Sequence, residues 1–192
     1  MERIRLKHLV FWALCCTMGM FSKRLIAPVA NIFTDFLHIP GGIGTSFSLM
    51  FLIVAAQLVP YRRSCTIMSI VQSGLALGLG MVGSMGALSP IGYIMPGIAM
   101  DVVLRMAAKL KASGETAFVA ANTAGAICAA LTANLIVFRL SGLPLLLYLC
   151  ISAISGAAFG VLGSALVKRL KTIMTLQEND QRYIGRCTEK PI

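Results

Sequence analysis

Asp101 and Arg105 stand four residues apart, the spacing at which a carboxylate and a guanidinium share one face of a helix and can pair or pass a proton. The structural reading of this pair is a tie beside a basic joint, and it explains the spacing well. Little else in the chain has the makings of a reactive centre. His8 and His38 are the only histidines, and the six cysteines, Cys15, Cys16, Cys65, Cys128, Cys150 and Cys187, form no CxxC pair. Neither a zinc site nor a disulfide framework is expected from that supply. Four of the cysteines fall inside apolar stretches, where a thiol packs as a small apolar group. No glycine-rich phosphate loop appears, so any energy the protein uses must come from elsewhere.

The elements that would position these groups are six apolar stretches: Leu9–Ala30, Ile43–Val59, Ile67–Gly83, Ile91–Met106, Phe118–Phe138 and Leu143–Val167. Each is long enough, or nearly so, to cross a hydrocarbon layer as a helix, which takes about 20 apolar residues. The joints between them alternate in charge. With Met1 in the cytoplasm, the inner segments collect Arg3, Arg5, Lys7, Arg62, Arg63, Arg105, Lys109, Lys111, Lys168, Arg169, Lys171, Arg182, Arg186 and Lys190. The outer side keeps Lys23, Arg24 and Arg139. That split predicts an all-α, multi-pass membrane protein of six spans with both termini inside. The composition, 57% hydrophobic and 12% charged, agrees. The net charge of +10 is then accounted for by orientation and anionic headgroups rather than by nucleic acid. Residues 1–171 read as one transmembrane domain and Thr172–Ile192 as a polar cytoplasmic tail. The opening Met-Glu-Arg-Ile-Arg-Leu-Lys resembles the start of a signal peptide, but no small-residue cleavage site follows, and a retained first span is expected.

An intramembrane enzyme needs clustered acids, histidines or a nucleophile with a base in reach. Asp35 and Asp101 fall on opposite sides of the predicted membrane, so no catalytic centre, metal or cofactor is expected. A secondary transporter needs ionisable groups near the midplane and repeated halves, and neither is evident.

Lys23 and Arg24 lie within the extended first span or begin the loop after Ser22. If helical, they point about 100° apart, so one turns into the bundle and the other to the interface. The fifth stretch repeats small residues at Ala117, Ala121, Gly125, Ala129 and Ala133, and the sixth at Ser152, Gly156, Gly160 and Ser164. Such stripes let helices approach closely, either inside the bundle or against a partner subunit. Gly74 to Gly80 and Ser89 to Gly97 are breakable stretches at the outer side, where irregular backbone would line a cavity. Gln57, Gln72, Asn122 and Asn134 are the polar intruders, expected mainly as interhelical ties.

A first helix, a loop ending in Ile39-Pro-Gly-Gly and a short second helix opening with Thr45 and Ser46 resemble the substrate-binding S components of energy-coupling-factor (ECF) vitamin transporters. The resemblance covers about residues 8–170 through length, helix count and glycine-rich outer ends, with Ile39–Ser48 as its local motif. It implies a prokaryotic plasma-membrane protein that captures a vitamin or cofactor precursor from outside. Its partners would be a transmembrane coupling subunit and two ATPases. The family's outer-half pocket maps onto Arg24, Asn31, Asp35, His38, Thr45, Tyr93, Asn134, Arg139 and Tyr148. Arg24, Arg139 and Lys23 would favour a carboxylate or phosphate, and Asp35 a cationic ring. Family members commonly carry Ala-x-x-x-Ala on the first helix for docking. Here Ala13-x-x-x-Thr17 with Cys16 is the looser equivalent, joined by Gly156 and Gly160. A solitary transporter or channel, or an assembly factor, is the rival reading.

Overall fold

The computed structural model describes the backbone over residues 6–37, 43–58, 63–80, 83–111 and 113–188, and side chains over 10–26, 28, 44–58, 63–80, 85–111 and 113–173. Within these residues the chain is all-helical. Its long helices are α1 (Leu6–Leu37), α2 (Ile43–Leu58), α3 (Ser64–Gly78), α4 (Ser89–Lys109), α5 (Gly114–Ala133) and α6 (Leu143–Thr188). A broken 3-10 segment, Gly83–Leu88, precedes α4, and a π-helical turn, Asn134–Phe138, ends α5. Three helical runs, Met85–Lys109, Gly114–Phe138 and Leu143–Ile173, are long and apolar enough to cross a membrane.

Consecutive helices pack against one another, except that α2 joins α6 and thereby closes the bundle. The short α2 is apolar all round, and it accordingly touches α1, α3, α5 and α6. Leu52, Ile53 and Ala55 on α2 lie fully inside, against Trp12, Cys16, Met68, Met100, Ala121 and Ala126. Large apolar side chains also cover the outside. Val10, Leu14, Met18, Phe21 and Leu25 run down α1, and Leu143, Leu146, Ile154, Val161 and Leu162 run down α6. An apolar exterior on this scale is what an acyl-chain environment requires and what a water-facing surface avoids.

Small residues set the closest crossings. A Cβ on Gly97 would collide with Ser69 Oγ and stand 2.9 Å from the Cys65 carbonyl, so α3 and α4 meet where only glycine fits. On α6, a Cβ at Gly156 would stand 2.9 Å from Thr123 Cα, and one at Gly160 2.9 Å from Val119 Cα. The small stripe of α6 therefore lies on the backbone of α5, and its close packing is internal. On the other side of α5, Gly125 accommodates Met100 and Leu49.

Helix ends differ from the sequence expectation in three places. The first helix runs past Ala30 to Leu37, through Pro28, so Asn31 and Asp35 belong to a helix rather than a loop. The stretch from Ser89 to Gly97 is regular helix. Pro90 sits in its first turn, where no backbone N–H is needed. The irregular backbone lies just before it, with Gly80 and Gly86 in the left-handed region. Finally, α6 continues unbroken to Thr188, so the segment from residue 172 begins as helix.

Candidate functional site

The two ends of the bundle are chemically distinct. One end gathers Arg63, Arg105, Lys109, Lys111, Lys168, Arg169 and Lys171 around the start of α3, the α4–α5 joint and the far part of α6. Its described acids are committed. Asp101 on α4 reaches across to the start of α3, where Oδ1 accepts from the Cys65 N–H at 3.3 Å and Oδ2 from the Thr66 N–H at 2.9 Å. The Thr66 hydroxyl also donates to Oδ2. The first N–H groups of a helix lack internal partners and carry partial positive charge, so this carboxylate acts as an N-cap supplied by a neighbouring helix. Asp101, expected to share a face with Arg105, thus ties α4 to α3. Glu115 in the first turn of α5 pairs with Lys168 at 2.7 Å, both well exposed. Ser113 caps the same helix, its hydroxyl accepting from the Thr116 N–H at 3.4 Å.

The opposite end holds the irregular backbone and most of the sequence-predicted site residues. Lys23 and Arg24 diverge there, as consecutive helical positions must. Arg24 is exposed, whereas Lys23 turns inward. The Lys23 Nζ lies 3.4 Å from the Tyr93 hydroxyl and 4.7 Å from the centre of its ring. The inward cation is therefore Lys23, and Arg24, proposed from sequence, points away from the bundle. Tyr93 is half-buried on α4. Thr45 is half-buried in the first turn of α2, next to Gly44, whose side faces the Lys23 carbonyl. Lys23, Tyr93 and the start of α2 thus form one group.

Asn134, Arg139 and Tyr148 form another, at the α5–α6 corner. The Asn134 side chain closes that corner: Oδ1 accepts from the Leu140 N–H at 2.7 Å, and Nδ2 donates to the Leu140 carbonyl at 3.2 Å. Arg139 takes the left-handed conformation that makes the reversal, and it is exposed. Tyr148 is buried edge-to-face against Phe138 at 6.0 Å. Among the described residues no hydrogen bond or ring contact links this corner to Lys23 and Tyr93. The side chains of Asn31 and Asp35, and all of His38, lie outside the described residues.

The first-helix residues expected to dock a partner divide. Cys16 is buried with its thiol toward the Met68 carbonyl at 3.7 Å. Ala13 is exposed, and the Thr17 hydroxyl donates back to the Ala13 and Leu14 carbonyls. Gly156 and Gly160 are covered by α5 of the same chain.

Two buried polar groups on the Lys23 side went unremarked as site residues. The Gln72 amide nitrogen and the Ser89 hydroxyl are buried with no hydrogen-bond partner. Gln72 touches α1 at Gly19, four residues before Lys23, and Ser89 lies four residues before Tyr93. Ser89, four residues before Tyr93, carried a spacing signal, whereas nothing in the sequence links Gln72 to Lys23, since their contact through Gly19 is tertiary. Among the described residues, no cluster of His, Cys, Asp or Glu suits a metal. Comparison with family models, curated proteins and solved structures gives no match.

Proposed function

We propose that the protein is the solute-capturing membrane subunit of an ECF-type importer. In this reading all six helices cross the plasma membrane, and both termini and the basic end face the cytoplasm. A small water-soluble vitamin or precursor enters at the Lys23–Tyr93 end. Delivery then depends on a separate coupling subunit and two ATPases, since the chain carries no nucleotide motif. One observation carries the reading: the irregular backbone at Gly80 and Gly86 and the inward Lys23–Tyr93 pair lie at the end of the bundle opposite its basic residues. Irregular backbone at membrane depth is stable only where it is buried in protein or lines an aqueous cavity. The positive-inside asymmetry supports a cytoplasmic position for the opposite, basic end. Exposed apolar faces on α1 and α6 supply the lipid-facing surface that the reading requires.

The test is a mild-detergent pull-down of the tagged chain from its native membranes, with mass spectrometry of the retained proteins and small molecules. Two ATPases and one larger membrane subunit are expected, with a bound solute. Recovery of the chain alone and empty would favour a solitary transporter or an assembly role.

A further inference from the structure

The Lys23 ammonium is placed where a charge needs a counterion. A lysine at the end of a membrane helix bundle ordinarily extends its stem to the interface and stays hydrated. Arg24 beside it is exposed, yet Lys23 turns inward and rests on the Tyr93 ring and hydroxyl. A ring face steadies a cation but does not neutralise it. The acids whose side chains are described, Asp101 and Glu115, are both engaged at the other end of the bundle. Four residues earlier on α1, Gly19 brings the backbone against Gln72, and a Cβ there would stand 3.1 Å from Nε2. That amide nitrogen is a buried donor with no acceptor. Positions four apart share a helix face about 6 Å apart along the axis. One face of α1 therefore carries the Lys23 ammonium, whose described contacts are the neutral Tyr93 hydroxyl and ring, and one turn away, at Gly19, meets the unpartnered Gln72 amide of α3.

A buried donor without an acceptor is costly, so the Gln72 amide, one turn from a cation that no described acid neutralises, points to an acceptor supplied from outside the chain. Resting on the capture reading above, we infer that the α1–α3–α4 junction binds its solute through a carboxylate or phosphate. That anion docks on the Lys23 ammonium beside the Tyr93 ring, and a second acceptor of the same solute meets the Gln72 amide about one turn deeper. An anion contacting a lysine and a tyrosine in a low-dielectric setting gains more than it would in water. Arg24 and Arg139, both exposed, have no part in this contact.

An anionic lipid headgroup carries the same chemistry, and the experiment separates the two sources. The full chain is placed in phosphatidylcholine nanodiscs and its thermal unfolding followed with matched probes: nicotinate and nicotinamide, pantothenate and panthenol, biotin and biotinamide, pyridoxal phosphate and pyridoxal. A parallel sample replaces part of the phosphatidylcholine with phosphatidylglycerol. At least one charged probe should raise the unfolding temperature while its neutral twin does not. Its affinity should fall tenfold or more in Lys23→Met and several-fold in Gln72→Leu, and stay within twofold in Arg24→Met. Lys23→Arg, which keeps the charge, guards against a mere folding defect and should retain most of the binding. Equal binding of a charged probe and its twin, a Lys23→Met protein that binds as well as the native chain, a response to phosphatidylglycerol alone, or no response to any charged probe would overturn the proposal. A neutral probe held equally by native and Lys23→Met proteins would remove the anion site and leave solute capture standing. Anion binding without recovered ATPases would do the reverse.

Discussion

Asp101 and Lys23 are both charges turned into the bundle, one at each end, and the fold treats them oppositely. Asp101 is buried and surrounded by donors from the start of α3, so its charge is consumed in holding two helices together. Lys23 faces an aromatic ring and a hydroxyl, with no described acid to neutralise it. A satisfied inward charge is a structural part. An inward charge with no described acid beside it, at the end with broken backbone, is where the proposed solute would dock. The Asn134 corner extends the comparison, because it sits at the Lys23 end yet both halves of its amide are used by Leu140. Satisfaction, rather than position along the membrane normal, separates fold from site.

Substitutions can break this contrast. The largest effect is expected from Asp101→Ala, which strands the N–H groups of Cys65 and Thr66 at a buried helix start and should cost about 3 kcal/mol of stability. Unfolding by denaturant titration in detergent would measure it, with solute affinity unchanged in whatever fraction stays folded. Asn134→Ala should cost less, about 1–2 kcal/mol, since the corner is part-buried and water can replace one bond. A loss of solute affinity in that variant, at unchanged stability, would move Asn134 from fold to site. Gln72→Leu should have the opposite sign. Removing a buried donor that has no acceptor should leave stability unchanged or raise it by up to about 1 kcal/mol, while binding weakens. A marked destabilisation would mean that the amide is a structural tie after all. The smallest effect is expected from Glu115→Gln, which breaks an exposed ion pair and should change stability by no more than about 0.5 kcal/mol, as a salt-dependence series would show.

The helices were legible because their apolar runs are long and the joints carry the charge. Their ends were less so. Ser89-Pro90 is a helix start by residue type, since proline is tolerated in the first turn, yet the glycines after it suggested a break. The choice between Lys23 and Arg24 was beyond the sequence for a physical reason. With apolar residues on most sides of α1, periodicity does not set its rotational phase, and only its packing on α2 and α3, with Tyr93 of α4 in reach of the ammonium, turns Lys23 inward. Asp101 shows the same limit. Its partners are 35 and 36 residues away, so a neighbour four residues along the helix was the only one visible. The small residues of α5 and α6 were legible as packing, but whether they met each other or a partner depended on which helices became neighbours.

Solute capture as proposed requires an inward cation at Lys23, reached from outside the cell. Chemical rescue of Lys23→Cys in intact cells tests both parts at once, with the native chain treated in parallel. Two membrane-impermeant methanethiosulfonates of similar size are added from outside, one ending in trimethylammonium and the other in sulfonate. Both reagents should label the new thiol, and only the cationic adduct should restore retention of the solute held by the native chain. A thiol that resists both reagents, or retention equal with either adduct, would contradict the proposal.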